Sequence, residues 1–89
     1  MKAIKTVVYS SHFSRAAQKL PSELQKEVRE REALFRRDCF YPRLRTHKLK
    51  GKQHDLWSFS ITYSHRIVFR FLAEDTVYFI EVGDHSIYQ

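Results

Sequence analysis

Two short segments carry the side chains best suited to phosphate chemistry. They are Thr46-His47-Lys48-Leu49-Lys50-Gly51 in the middle of the chain and Gly83-Asp84-His85-Ser86-Ile87-Tyr88 at its end. Together they hold two histidines, two lysines and a tyrosine. Cutting an RNA strand without a metal requires the ribose 2′-OH to attack its own phosphate. A base removes that proton, cations stabilise the crowded phosphorane, and an acid protonates the departing 5′ oxygen. Histidine suits either proton transfer because its unperturbed pKa is about 6.5, and lysine or arginine suits the phosphate.

Each candidate also has a plainer reading. Lys48 and Lys50 are two apart, so a strand puts both on one face with Leu49 facing the core; lysines also serve simply to protect a sheet edge. His47 shares the face of Leu49 if the strand already runs there, and otherwise sits at the strand start. Arg66 opens a strand whose polar face also carries Arg70, a face that could lie over the lysine pair. It is suited to phosphate, or to an ion pair with Glu81 or Glu74. His85 follows Gly83-Asp84 at the exit of an apolar strand, where it is either a site residue at a sheet edge or a solvated tail histidine. Tyr88 either packs on the sheet, stacks on a base or frays. Trp57 reads as core.

The elements that must position these groups follow from periodicity. Ile4 to Tyr9 is a β-branched and aromatic run that predicts a strand. Phe13, Ala16, Ala17 and Leu20 then predict a short amphipathic helix, with Ser11 or Ser14 as its N-cap. Pro21 breaks it and opens a second helix, where Ser22 and Gln25 have capping-box spacing. Leu24, Val28, Leu34 and Phe35 form the stripe of that helix, which ends near Arg37; its opposite face is Glu, Lys and Arg. Phe40-Tyr41-Pro42 reads as a loop. Beyond it the period becomes two: Trp57, Phe59 and Ile61 alternate with Ser58, Ser60 and Thr62, and Ile67, Phe69 and Phe71 with Arg66, Val68 and Arg70. Ala73-Glu74-Asp75 predicts a turn, Val77 to Val82 a central strand, and Lys48-Leu49-Lys50 a short first strand of this sheet. The expected fold is α+β, in the order β-α-α-β-β-β-β, with a helical hairpin on one face of a mainly antiparallel sheet.

Composition narrows the class. Eighty-nine residues, 43% of them hydrophobic, fit a single domain spanning 1–89. The one cysteine, Cys39, rules out an internal disulfide and a Cys-based zinc site, and His12, His54 and His65 show no metal-ligand spacing. There is no Gly-rich phosphate loop and no nucleophile elbow. The N-terminal residues are too short and polar for a signal peptide, and no run matches a membrane span, so a cytoplasmic protein without cofactor or metal is expected. The net charge of +6 favours a polyanionic partner, either nucleic acid or an acidic protein segment.

In order along the chain, Pro42-Arg43-Leu44, Thr46 to Gly51, Leu56-Trp57-Ser58-Phe59-Ser60-Ile61, Tyr63, Arg66-Ile67-Val68-Phe69 and Gly83 to Tyr88 resemble the RelE/ParE toxin superfamily. The nearest branch is the YafQ or RelE/StbE type of bacterial toxin–antitoxin systems. The resemblance spans nearly the whole chain. It implies an mRNA endoribonuclease acting in the ribosomal A site, against the small subunit, and silenced by a cognate antitoxin. It also implies roles. His85 corresponds to the general acid of YafQ-type toxins and His47 to a second site histidine. Lys48 and Lys50 match the basic pair of RelE-type enzymes, Arg66 lies in the region of the transition-state-stabilising arginine, and Tyr88 matches the tyrosine that orients the RNA. The chain departs from the pattern at Ser60 and Ser64, where YafQ-type toxins carry a histidine and an aspartate. Asp84 is a further departure: paired with His85 it would favour the imidazolium, and turned to the RNA it would repel it. The same fold also serves ParE-like proteins that poison DNA gyrase without catalysis, and an RNA- or ribosome-binding relative that does not cut is a third reading.

Overall fold

A computed structural model describes residues 1–51 and 55–84. The elements are β1 (Thr6–Tyr9), α1 (Ser11–Gln18), α2 (Ser22–Arg37), a 3₁₀ turn (Pro42–Leu44), β2 (His47–Lys48), β3 (Trp57–Ser60), β4 (Arg66–Ala73) and β5 (Thr76–Gly83). The strands form one sheet in the order β1-β5-β4-β3-β2. β1 runs parallel to β5, and the other neighbours are antiparallel. This is the expected α+β order, with the 3₁₀ turn added between helix and sheet. Among the described residues, no helix is long and apolar enough to cross a membrane.

Local chemistry sets the helix ends. Ser10, rather than Ser11 or Ser14, caps α1: its Oγ accepts from the Phe13 amide at 2.8 Å and donates to the Ile80 carbonyl at 2.8 Å. One hydroxyl therefore satisfies an orphan helix N–H and ties the helix to β5. At α2 the capping-box expectation fails. Pro21 is the cap residue and makes no side-chain bond, while the Gln25 amide reaches back to the carbonyls of Gln18 and Leu20 at 3.0 and 2.9 Å. Gln25 thus braces the link between the helices instead of capping the second.

The core is an aromatic cluster between the helices and the sheet. Phe35 of α2 is fully buried, stacked on Phe59 at 4.4 Å between centroids, with the edges of Phe69 and Phe79 at 5.0 and 5.6 Å. Phe13 of α1 adds a contact to Phe79 at 5.3 Å. Cys39 is buried here too, and burial pushes its thiol pKa up, which keeps it protonated and unreactive. Trp57 is only half-buried, in a satellite cluster with Phe40 and Phe71 at the edge of this core.

A register shift in β5 governs what reaches the far end of the sheet. Phe69 pairs with Phe79 and Val68 with Glu81, so Ile80 is an extra residue. The bulge resets the alternation, letting Phe79 and Val82, three apart, both be buried. It also brings Gly83 opposite Arg66, which in turn faces Ser60 on β3.

Candidate functional site

Ser60 and Arg66 of that row line a cavity of about 450 Å³, together with Arg31, Arg43, Arg45, Thr62 and Tyr63. The four arginines arrive from three local structures. Arg66 is the first residue of β4, and its Nη1 donates to the Ser60 hydroxyl at 3.1 Å. Arg43 lies in the 3₁₀ turn that Pro42 starts. Arg45 ends that turn in the left-handed region, at φ 53°, a conformation that non-glycine residues adopt at a cost. The chain then reverses directly into β2, leaving Arg43 and Arg45 on the same cavity. Arg31 comes from α2, with Nη1 at 3.5 Å from the carbonyls of both Arg43 and Ser60, so it spans the two walls.

The charge balance is one-sided. Arg31 has Glu27 at 3.8 Å on its own helix. Among the described residues, none of Arg43, Arg45 and Arg66 has an ion-pair partner, and no acidic side chain lines the cavity. Guanidinium groups gathered in a concavity focus a positive field and present planar donor forks, the geometry that suits phosphate oxygens.

The sequence-nominated residues distribute unevenly around this cavity. Arg66 is in its wall, and of the partners weighed for it Glu81 instead pairs with His12 at 3.0 Å. His47 is exposed, with Nδ1 at 2.8 Å from the Arg45 carbonyl. A carbonyl only accepts, so Nδ1 carries the proton and the neutral ring keeps its lone pair at Nε2, as a base requires. Lys48 and Lys50 are exposed around half-buried Leu49, but neither lines the cavity. The strand also starts one residue earlier than expected, which makes His47 pair with Ser58 and Lys48 with Trp57. Lys48 therefore lies in the row of Trp57 and Phe69, on the face opposite Arg66, and the polar face of β4 does not lie over the lysine pair. His85 and Tyr88 lie outside the described residues. Asp84 is exposed and directly follows Gly83.

Arg31, Arg43, Arg45, Thr62 and Tyr63 are among the cavity-lining residues that sequence reasoning did not nominate. Arg31 did carry a signal. Leu24, Val28, Arg31 and Phe35 are spaced i, i+4, i+7, i+11, so a charged residue occupies a position where the stripe calls for an apolar one.

A helical pair on a five-stranded sheet of this order defines the fold class: the chain has the fold of the RelE/ParE-like toxins. It is similar to the YoeB/ParE toxin from Agrobacterium tumefaciens, at 20% identity over 91% of this chain and 99% of that one, with a TM-score of 0.75. YafQ from E. coli strain BL21(DE3) superposes with a TM-score of 0.76 at 12% identity, covering 92% of this chain and 94% of that one. A chain of the RelBE2 toxin–antitoxin complex from Mycobacterium tuberculosis matches over 97% of each chain at 19% identity, with a TM-score of 0.71. No family sequence model matches the chain, and no curated protein matches it by sequence. The likeness is one of fold, and at that level it agrees with the resemblance carried by the sequence motifs.

Proposed function

We propose that this protein is the toxin of a toxin–antitoxin pair and acts as a metal-independent endoribonuclease on messages in the ribosomal A site. The observation that carries the reading is the arginine cavity at the end of the sheet, with β5 ending beside it where Gly83 pairs with Arg66. His85 follows Gly83 by two positions in sequence, and that proximity in the chain is what supports it as the acid in this reading. In this reading Arg66 and its arginine neighbours hold the scissile phosphate and stabilise the phosphorane. His47 Nε2 is the candidate base and His85 protonates the departing 5′ oxygen. Tyr88 orients the RNA. Lys48 and Lys50, outside the cavity, attract the flanking backbone or ribosomal RNA. A cognate antitoxin is the natural silencing partner; the similar DinJ–YafQ pair from E. coli is itself a toxin–antitoxin complex.

Induced expression of the wild type, His85→Gln and Arg66→Ala, with primer extension on a translated message, tests the reading. Cuts within codons that disappear in both variants are expected. Gyrase-dependent DNA breaks without RNA cuts would replace this function with the ParE-like one, and ribosome binding without cuts would leave a non-cleaving binder.

A further inference from the structure

Tyr63 is 92% exposed, while Phe40, the next most exposed aromatic ring among the described residues, is 44% exposed. The ring stands at the rim of the arginine cavity, in the turn between β3 and β4. This turn is braced rather than loose. The Ile61 amide donates to the His65 carbonyl at 2.9 Å, the His65 amide donates to Thr62 Oγ1 at 3.2 Å, and Ser64 Oγ lies 3.0 Å from His65 Nδ1. A braced turn therefore presents a large ring to water beside four guanidinium groups, with nearly all of its area uncovered. One class of ligand answers both features: a flat π-system joined to an anion, which is a nucleotide. The cavity volume falls within the range of about 300–1,000 Å³ typical of small-molecule sites.

We infer that Tyr63 is a stacking platform for a nucleobase whose adjoining phosphate sits among Arg31, Arg43, Arg45 and Arg66. The inference rests on the RNA reading above and deepens it by giving the substrate a second point of attachment. Stacking is tolerant of base identity because every base has a π-face. Tyr63 thus contributes affinity and positioning, and base choice is made elsewhere.

The test uses the full chain and two fluorescent 2′-O-methyl oligomers of equal length and charge, which cannot cyclise. One is a short oligouridylate and the other is abasic. Anisotropy at low salt gives the affinity of wild type, Tyr63→Ala, Tyr63→Phe and Tyr63→Trp for each. Tyr63→Ala is expected to weaken oligouridylate binding roughly 5- to 100-fold and to leave abasic binding unchanged. Tyr63→Phe restores it, and the Tyr63→Trp indole is quenched by oligouridylate alone. If the wild type binds both oligomers and Tyr63→Ala weakens both equally or neither, the stacking role is overturned while the RNA reading stands. A wild type that binds neither oligomer overturns this inference, and the RNA reading is then decided by primer extension on the translated message.

Discussion

Arg66 and Ser60 face each other across β4 and β3, and the guanidinium donates to the hydroxyl at 3.1 Å. The bond uses one of five donors, which fixes the plane of the fork and leaves the remaining donors for a ligand. Arg66→Ala should therefore lower RNA cleavage by about 10²–10³-fold, the effect typical of removing one donor that stabilises developing charge. Arg66→Lys should rescue little, because a point charge cannot reproduce the fork. Ser60→Ala should fall between these and wild type, since the cation remains but loses its anchor. Single-turnover rates on a ribosome-bound message, alongside circular dichroism to confirm folding, separate the three. Equal rates for Ser60→Ala and Arg66→Ala would mean that the guanidinium contributes nothing without its anchor.

Arg45 combines a strained backbone with a cavity-lining cation. Arg45→Gly removes both the left-handed penalty and the guanidinium. Glycine also costs more to order, so stability should stay level or rise by up to about 1 kcal/mol while affinity for oligouridylate falls. Urea denaturation and anisotropy read the two effects independently. A variant that lost both stability and binding would assign Arg45 to holding the turn together instead.

Phe35 touches three other fully buried rings. Phe35→Ala should destabilise the domain by about 3–5 kcal/mol through lost contacts and an unfilled cavity. That is a large share of the roughly 5–15 kcal/mol available to small proteins. Phe35→Leu, which keeps most of the volume, should cost less. Denaturant midpoints for the pair check the ranking; equal midpoints would mean that α2 shifts to fill the space.

Asp38 Oδ1 accepts from the Lys2 and Phe40 amides, each at 3.1 Å, which staples the N-terminal segment to the loop after α2. The Lys2 N–H, and after it that of Phe40, holds this carboxyl below its ordinary range. A folded-state pKa below the unfolded one of about 3.9 means that the unfolded chain binds the proton more readily. The stabilisation is therefore present above the unfolded value and is lost as pH falls through the folded one. Asp38→Asn should be less stable than wild type at neutral pH, and the gap should close on acidification. Paired urea titrations across that window measure it; a pH-independent gap would point to packing rather than charge.

The fold was legible where one period dominated. The alternations through Trp57-Phe59-Ile61 and Ile67-Phe69-Phe71 became β3 and β4, and the α2 stripe became a helix ending at Arg37. Boundaries moved where backbone groups found other partners. Ile4 was expected in β1, but its amide donates to the Arg36 carbonyl at the end of α2, so the strand begins at Thr6. The parallel pairing of β1 with β5 left no local trace because it joins residues at opposite ends of the sequence. The cavity was hidden for a related reason. Arginines at 31, 43 and 45 read singly as solvated charge, and only the αL turn at Arg45 and the pairing of Ser60 with Arg66 bring them to one cavity with the nominated Arg66.

The parallel β1–β5 pairing also bears on when the domain can exist. During vectorial synthesis the first strand emerges early, yet its hydrogen-bonding neighbour is made last of all the elements. Contacts so remote in sequence are slow to form and cannot form piecemeal. Until residues 76–83 have cleared the tunnel, β1 and β4 both lack their shared neighbour and the row of Ser60 and Arg66 lacks Gly83. Ser60 and Arg66 therefore gain their place in a closed sheet only once β5 has been translated.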